Sequence, residues 1–191
     1  MGLDQYLEAR QYFSGYDFKD DTSKRNQKVL KELEAIFPEL DSVRQSDDSM
    51  EVKCQVGRWR KANQIHKWFV DNRQGGDDEQ RSVGVSRESL VDLRKTCQAV
   101  LGESHLEDGI VTNGFIASSK TNFKMEPNLE DGQVIIDPSV AELLLPTKSG
   151  FFFGSTDYDE GYIDDVKATI EIIDRALRLP DEWSFYYDSS W

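Results

Sequence analysis

Hydrophobic and polar positions alternate at the start of the chain. Leu3, Leu7, Ala9 and Phe13 share one parity, with Asp4, Glu8 and Arg10 on the other, which predicts a strand over 2–13, with a helix as the alternative. The period then changes to 3.6. Val29, Leu30, Leu33, Ile36 and Phe37 make a helical stripe over 24–37, which Pro38 stops. A polar, acidic loop over 41–49 leads to Met50, Val52, Cys54 and Val56, an alternating strand ending at Gly57. Ala62, Ile65, His66, Phe69 and Val70 predict a helix from Arg60 to Asn72. Ser86 is an N-cap for a helix through Leu101 with Leu90, Leu93, Cys97 and Val100 inward.

Further on, Ile110-Val111, Phe115-Ile116 and Val134–Ile136 predict short strands, with a turn at Asn113-Gly114. Asp137-Pro138 predicts the start of a short helix that runs through Leu145 and ends at Pro146. Phe151, Phe152 and Phe153, bracketed by Gly150 and Gly154, predict an apolar strand. Asp159 caps a last long helix with Tyr162, Ile163, Val166, Ile170, Ile173 and Leu177 on one stripe. Trp183, Phe185 and Tyr187 alternate in a final strand. No repeat, linker or regular βαβ rhythm is present. The pattern predicts a single α+β domain over 1–191, with a mainly antiparallel sheet packed against three to four helices.

The 191 residues suffice for a core without staples. Four Trp, seven Tyr and ten Phe argue against disorder despite 31% charged residues. No apolar run is long enough to span a membrane, and the first residues lack the basic-then-apolar order of a secretory leader. Cys54 and Cys97, far apart, read as buried reduced thiols in a cytoplasmic protein. Two His and two Cys, widely separated, do not make a zinc site, and no motif calls for a cofactor.

Charge sharpens the picture. The formal net charge is −13, which disfavours direct binding to nucleic acid. Yet Lys53, Arg58, Arg60, Lys61, Lys67 and Arg73 stand against Asp71 alone in one stretch. The first candidate site lies there: Arg58, Trp59, Arg60, Lys61, Asn63 and His66. Arginine forks onto phosphate or carboxylate, tryptophan stacks on a base, and a helix's first turn favours an anion. In helical geometry Trp59, Asn63 and His66 share an edge and predict a pocket for an anionic, nucleotide-like ligand. The competing reading pairs these cations with the chain's own 36 acids and makes His66 a hydrogen-bonded core residue.

A second candidate is Pro146–Thr156, where Lys148, Ser149, Ser155 and Thr156 are donors for phosphate; the alternative is a buried strand between tight turns. It lacks the order of a P-loop. The third is the acidic run Asp157, Asp159, Glu160, Asp164 and Asp165. It reads either as helix capping or as a protein-binding surface imitating DNA phosphates; other acids cluster at Asp47/Asp48 and elsewhere.

MGLDQYL, GRWRKANQIHKWFV, SRESL, LPTKSGFFFGSTDYDEGY and WSFYYDSSW together resemble a family of small bacteriophage and prophage proteins. The resemblance covers about two-thirds of the chain and brings no assigned reaction or catalytic residues. It implies a phage origin and an accessory, host-directed role. The expected function is therefore a non-enzymatic phage protein that antagonises a host defence, in the host cell's cytoplasm. Its partner is a host protein met by the acidic face or an anionic small molecule held in the Arg58–His66 pocket. The rivals are an enzyme on a nucleotide or phosphoester, with His66 as acid or base and Arg60 and Lys61 on phosphate, and a structural or assembly factor.

Overall fold

A computed structural model of the chain describes residues 2–43, 45, 48–117, 125–150 and 152–191. The elements run β1 (Asp4–Phe13), α1 (Asp21–Ile36), α2 (Glu39–Val43), β2 (Met50–Arg60), α3 (Asn63–Arg73), β3 (Val83–Val85), α4 (Arg87–Glu103), β4 (Leu106–Ala117), β5 (Met125–Ile135), α5 (Ser139–Leu144), α6 (Glu160–Ala176) and β6 (Ser184–Ser190). The fold is α+β. Four strands form an antiparallel sheet in the order β2-β1-β6-β3. β4 and β5 pair separately as a long two-stranded arm. Among the described residues no helix is long and apolar enough to cross a membrane.

The alternation of β1 is realised in the sheet: Leu3, Leu7, Ala9 and Phe13 are buried. Phe185 and Tyr187 of β6 join them, and α3, α4 and α6 cover this face in one apolar core. α4 starts at Ser86, whose side chain accepts from Ser89 N, and buries Leu90, Leu93, Cys97 and Val100 as its stripe predicts. α6 is capped by Asp159, which accepts from Tyr162 N. Gly57 lets α6 approach β2, since a Cβ there would lie 2.3 Å from Ile172 Cγ2. On the sheet's other face Arg10 stacks over Tyr186 and Arg58 over Tyr6.

Several expectations are corrected. β2 does not stop at Gly57: it continues to Arg60, with Asp4 opposite Arg60 and Gln5 opposite Trp59. Arg58, Trp59 and Arg60 therefore alternate across a strand, and the helix begins at Asn63. Cys54 is exposed rather than buried; both cysteines are free. α1 buries Leu30 and half-buries Val29 and Leu33, but the end of its stripe is open, with Ile36 and Phe37 65% and 49% exposed.

Asn113-Gly114 is not a turn. It is a bulge within β4, with Gly114 at φ +74 and the register shifting between Thr112 and Phe115. The three short strands are two long ones. The apolar run near Phe152 forms no strand, because Phe152 (φ +65) and Gly154 (φ +97) bend it into a loop; Phe151 lies outside the described residues, as does Asp47. Pro138, not Asp137, is the N-cap of α5, while Asp137 accepts from Ser139 N.

Candidate functional site

β2 leaves the sheet through a tight corner. Lys61 takes a left-handed backbone (φ +63), fixed where its N–H donates to Leu3 O at 2.7 Å. Asn63 N then donates to Lys61 O at 2.8 Å, an inverse γ-turn centred on Ala62. The corner carries Arg60, Lys61 and Gln64 to the wall of a cleft of about 740 Å³. The loop 146–156, the first turns of α6 and the bulge of the arm make the other walls. A strained backbone for a non-glycine residue recurs at Phe152 in the same wall.

Asn63 holds the loop. Its Nδ2 donates to Ser155 O at 2.7 Å and Phe153 O at 3.3 Å, and its Oδ1 accepts from Lys148 N at 2.9 Å. It is buried, and its polar atoms are engaged by backbone, so it shapes the cleft instead of offering itself to a ligand. Ser155 Oγ accepts from Asp157 N. Lys148 and Ser149 lie outside the lining.

The expected pocket edge of Trp59, Asn63 and His66 does not form. Trp59 points from β2 into the core, where its Nε1 donates to Thr169 Oγ1 at 2.9 Å. His66 is 0% exposed. Its Nδ1 lies 2.8 Å from Tyr187 Oη, and its Nε2 lies 2.8 Å from Asp78 Oδ2. Tyr187 Oη also lies 3.0 Å from Gln5 Oε1, while Asp78 takes Lys148 Nζ at 3.3 Å and Trp191 Nε1 at 3.4 Å. Burial holds the His66 imidazole below its ordinary pKa, against the pull of Asp78. Burial pushes the Asp78 carboxyl up, but the bonds from His66 and Lys148 outweigh it and hold it low. His66 is thus a hydrogen-bonded core histidine.

Arg58 pairs with Asp4 at 2.9 Å, Lys53 with Glu51 and Lys67 with Asp71, while Arg73 donates to Gly84 O. Arg60 and Lys61 differ. Among the described residues neither has a carboxylate within ion-pair distance, and both line the cleft. The internal-pairing expectation therefore holds for Lys53, Arg58 and Lys67, while Arg73 bonds a backbone carbonyl, and it fails at the cleft for Arg60 and Lys61.

Most of the acidic run is engaged locally. Asp157 accepts from Thr112 N at 2.9 Å, Asp159 caps α6, and Asp164 pairs with Lys167. Asp157, Asp159 and Asp165 line the cleft. Asp165 is half-buried and accepts from Gln64 Nε2 at 3.1 Å. Burial, with Asp159 and Asp164 nearby, pushes its carboxyl up to about 6. Only Glu160 of the run is free of such a contact. Among the described residues no three His, Cys, Asp or Glu side chains gather as a metal site requires.

Among the lining residues that the sequence did not single out individually are Gln64, Phe115 and Phe152. Gln64 sits within the basic block, and Phe115 and Phe152, 60% and 50% exposed, line the cleft. The signal for the two rings was weak: each is an apolar residue close to a glycine with left-handed backbone. No family model, curated protein or solved structure matches the chain.

Proposed function

We propose that this chain works by binding, and that its ligand is an anionic, nucleotide-sized molecule seated in the cleft. The observation that carries this is the pair Arg60 and Lys61, without a carboxylate partner among the described residues of a chain of net charge −13, and lining the same cavity as Phe115 and Phe152. Cations suit a phosphate, and an aromatic face suits a base. The volume of about 740 Å³ falls in the range of small-molecule sites. With the phage resemblance, the reading is a cytoplasmic accessory protein that sequesters a host nucleotide signal and so blunts a defence.

The test is calorimetry of the whole chain with nucleoside mono- and diphosphates and cyclic dinucleotides. Micromolar or tighter binding is expected, weakened at least tenfold in Arg60→Ala and Lys61→Ala. Absence of binding across the panel overturns the reading. A catalytic rival rests on Asp165, a carboxyl with a raised pKa in the cleft. It predicts conversion of the bound ligand, whereas sequestration predicts that chromatography recovers it intact.

A further inference from the structure

The cleft keeps opposite charges apart. Arg60 and Lys61 line it, Asp165 lines it too, and no ion pair joins them. Asp157 and Asp159 already accept from backbone N–H groups. Asp165 accepts one bond, from Gln64, and its other acceptor positions remain for a ligand. Gln64 is buried, so the carboxylate is held by a fixed amide.

A carboxylate with free acceptor positions, in a cavity that already offers cations to a phosphate and rings to a base, selects for a donor-rich base edge. Guanine is the nucleobase with two adjacent N–H donors on its pairing edge, N1–H and the exocyclic N2–H. Adenine and cytosine each place an acceptor beside the amino group, and uracil flanks its single N–H with carbonyls. We propose that the cleft selects guanine nucleotides, with Asp165 accepting from N1–H and N2–H while Arg60 and Lys61 take the phosphate. This rests on the nucleotide reading above.

The charged groups around Asp165 are Asp159 and Asp164 on its own helix, Asp157 from the preceding loop, and Arg60 and Lys61 from the end of β2. The loop 146–156 and the arm contribute no charged side chain to the described lining. Asp165 is therefore the group whose protonation between neutral and mildly acidic pH changes what the base edge meets.

The experiment is calorimetry of the unaltered chain at pH 7.5 with guanosine, inosine and adenosine monophosphates, repeated at pH 5. Guanosine monophosphate should bind roughly tenfold or more tighter than either of the others, since inosine lacks the 2-amino group and adenine lacks the paired donors. The preference should shrink at pH 5. Equal affinities, or a preference for adenosine monophosphate, overturn the inference and leave the nucleotide reading standing. A guanine preference unchanged at pH 5 also overturns it, since Asp165 would not be the reader. No binding of any of the three, nor of the wider panel, overturns the nucleotide reading and this inference with it. Asp165→Asn, checked for folding by circular dichroism, should bind the phosphate without preference among the three bases; a retained guanine preference counts against Asp165.

Discussion

Asn63 Oδ1 accepts the backbone N–H of Lys148 at 2.9 Å, while the same side chain's amide grips Ser155 O. One buried residue at the start of α3 thereby fixes both ends of the loop that walls the cleft. Asn63→Ala should cost about 2–4 kcal/mol, because three backbone groups lose their partner at a buried site. Hydrogen exchange should show the Lys148 amide losing protection before the α4 amides do. Unchanged protection at Lys148 would contradict this role.

The Gln64–Asp165 contact makes a stability prediction of opposite sign to the usual carboxylate. The folded pKa of about 6 lies above the unfolded value of 3.8. The group's contribution is fully present below pH 4 and is lost as pH rises through 6. Asp165→Asn removes the cost of a buried charge and should raise stability at pH 7.5 by on the order of 2 kcal/mol. Denaturant titrations of the two proteins should converge towards pH 4. A variant less stable at neutral pH would reverse the argument.

His66 runs the other way. Its folded pKa lies below 6.5, so the stability it supports is present above pH 6.5 and lost as pH falls through the folded value. Ring 15N shifts at pH 6.5 should report a larger neutral fraction for His66 than for a free imidazole. Tyr187→Phe removes the hydroxyl between His66 and Gln5 and should cost roughly 1–3 kcal/mol in thermal unfolding.

Gly57 is set by packing. Its φ is unremarkable, but a methyl group there meets Ile172 Cγ2 at 2.3 Å. Gly57→Ala should destabilise by about 1–3 kcal/mol through overpacking. Combined with Ile172→Ala, the cost should fall short of the sum of the single changes, a coupling that denaturant melts will register.

The sequence disclosed elements whose period, cap and burial agree. Ser86 with its Leu90, Leu93, Cys97 and Val100 stripe is one, and Asp159 with α6 is another. It misled where two periods overlap. Gly57-Arg58-Trp59-Arg60 alternates as a strand, but the apolar stripe beginning at Ala62 drew Trp59 and Arg60 into a helix. The cleft itself was half legible. Arg60 and Lys61 stood out by composition, whereas their lack of partners depends on which carboxylates the fold brings near. Phe115 and Phe152 read as strand residues, because nothing local says that the bulge and the loop leave them exposed.

The arm has one more consequence. β4 and β5 form their ladder with each other, joined to the rest of the chain's backbone pairing by a bridge from Val134 to Asp159. Adding or deleting matched residues along this ladder, away from the buried Ile135 and its partner Leu106, would leave the four-stranded sheet and its helices in place while redrawing one wall of the cleft. A lineage under pressure to track a changing molecule in its surroundings could diversify there without refolding the body, so variation among related chains should gather in the arm and spare the corner from Arg60 to Asn63.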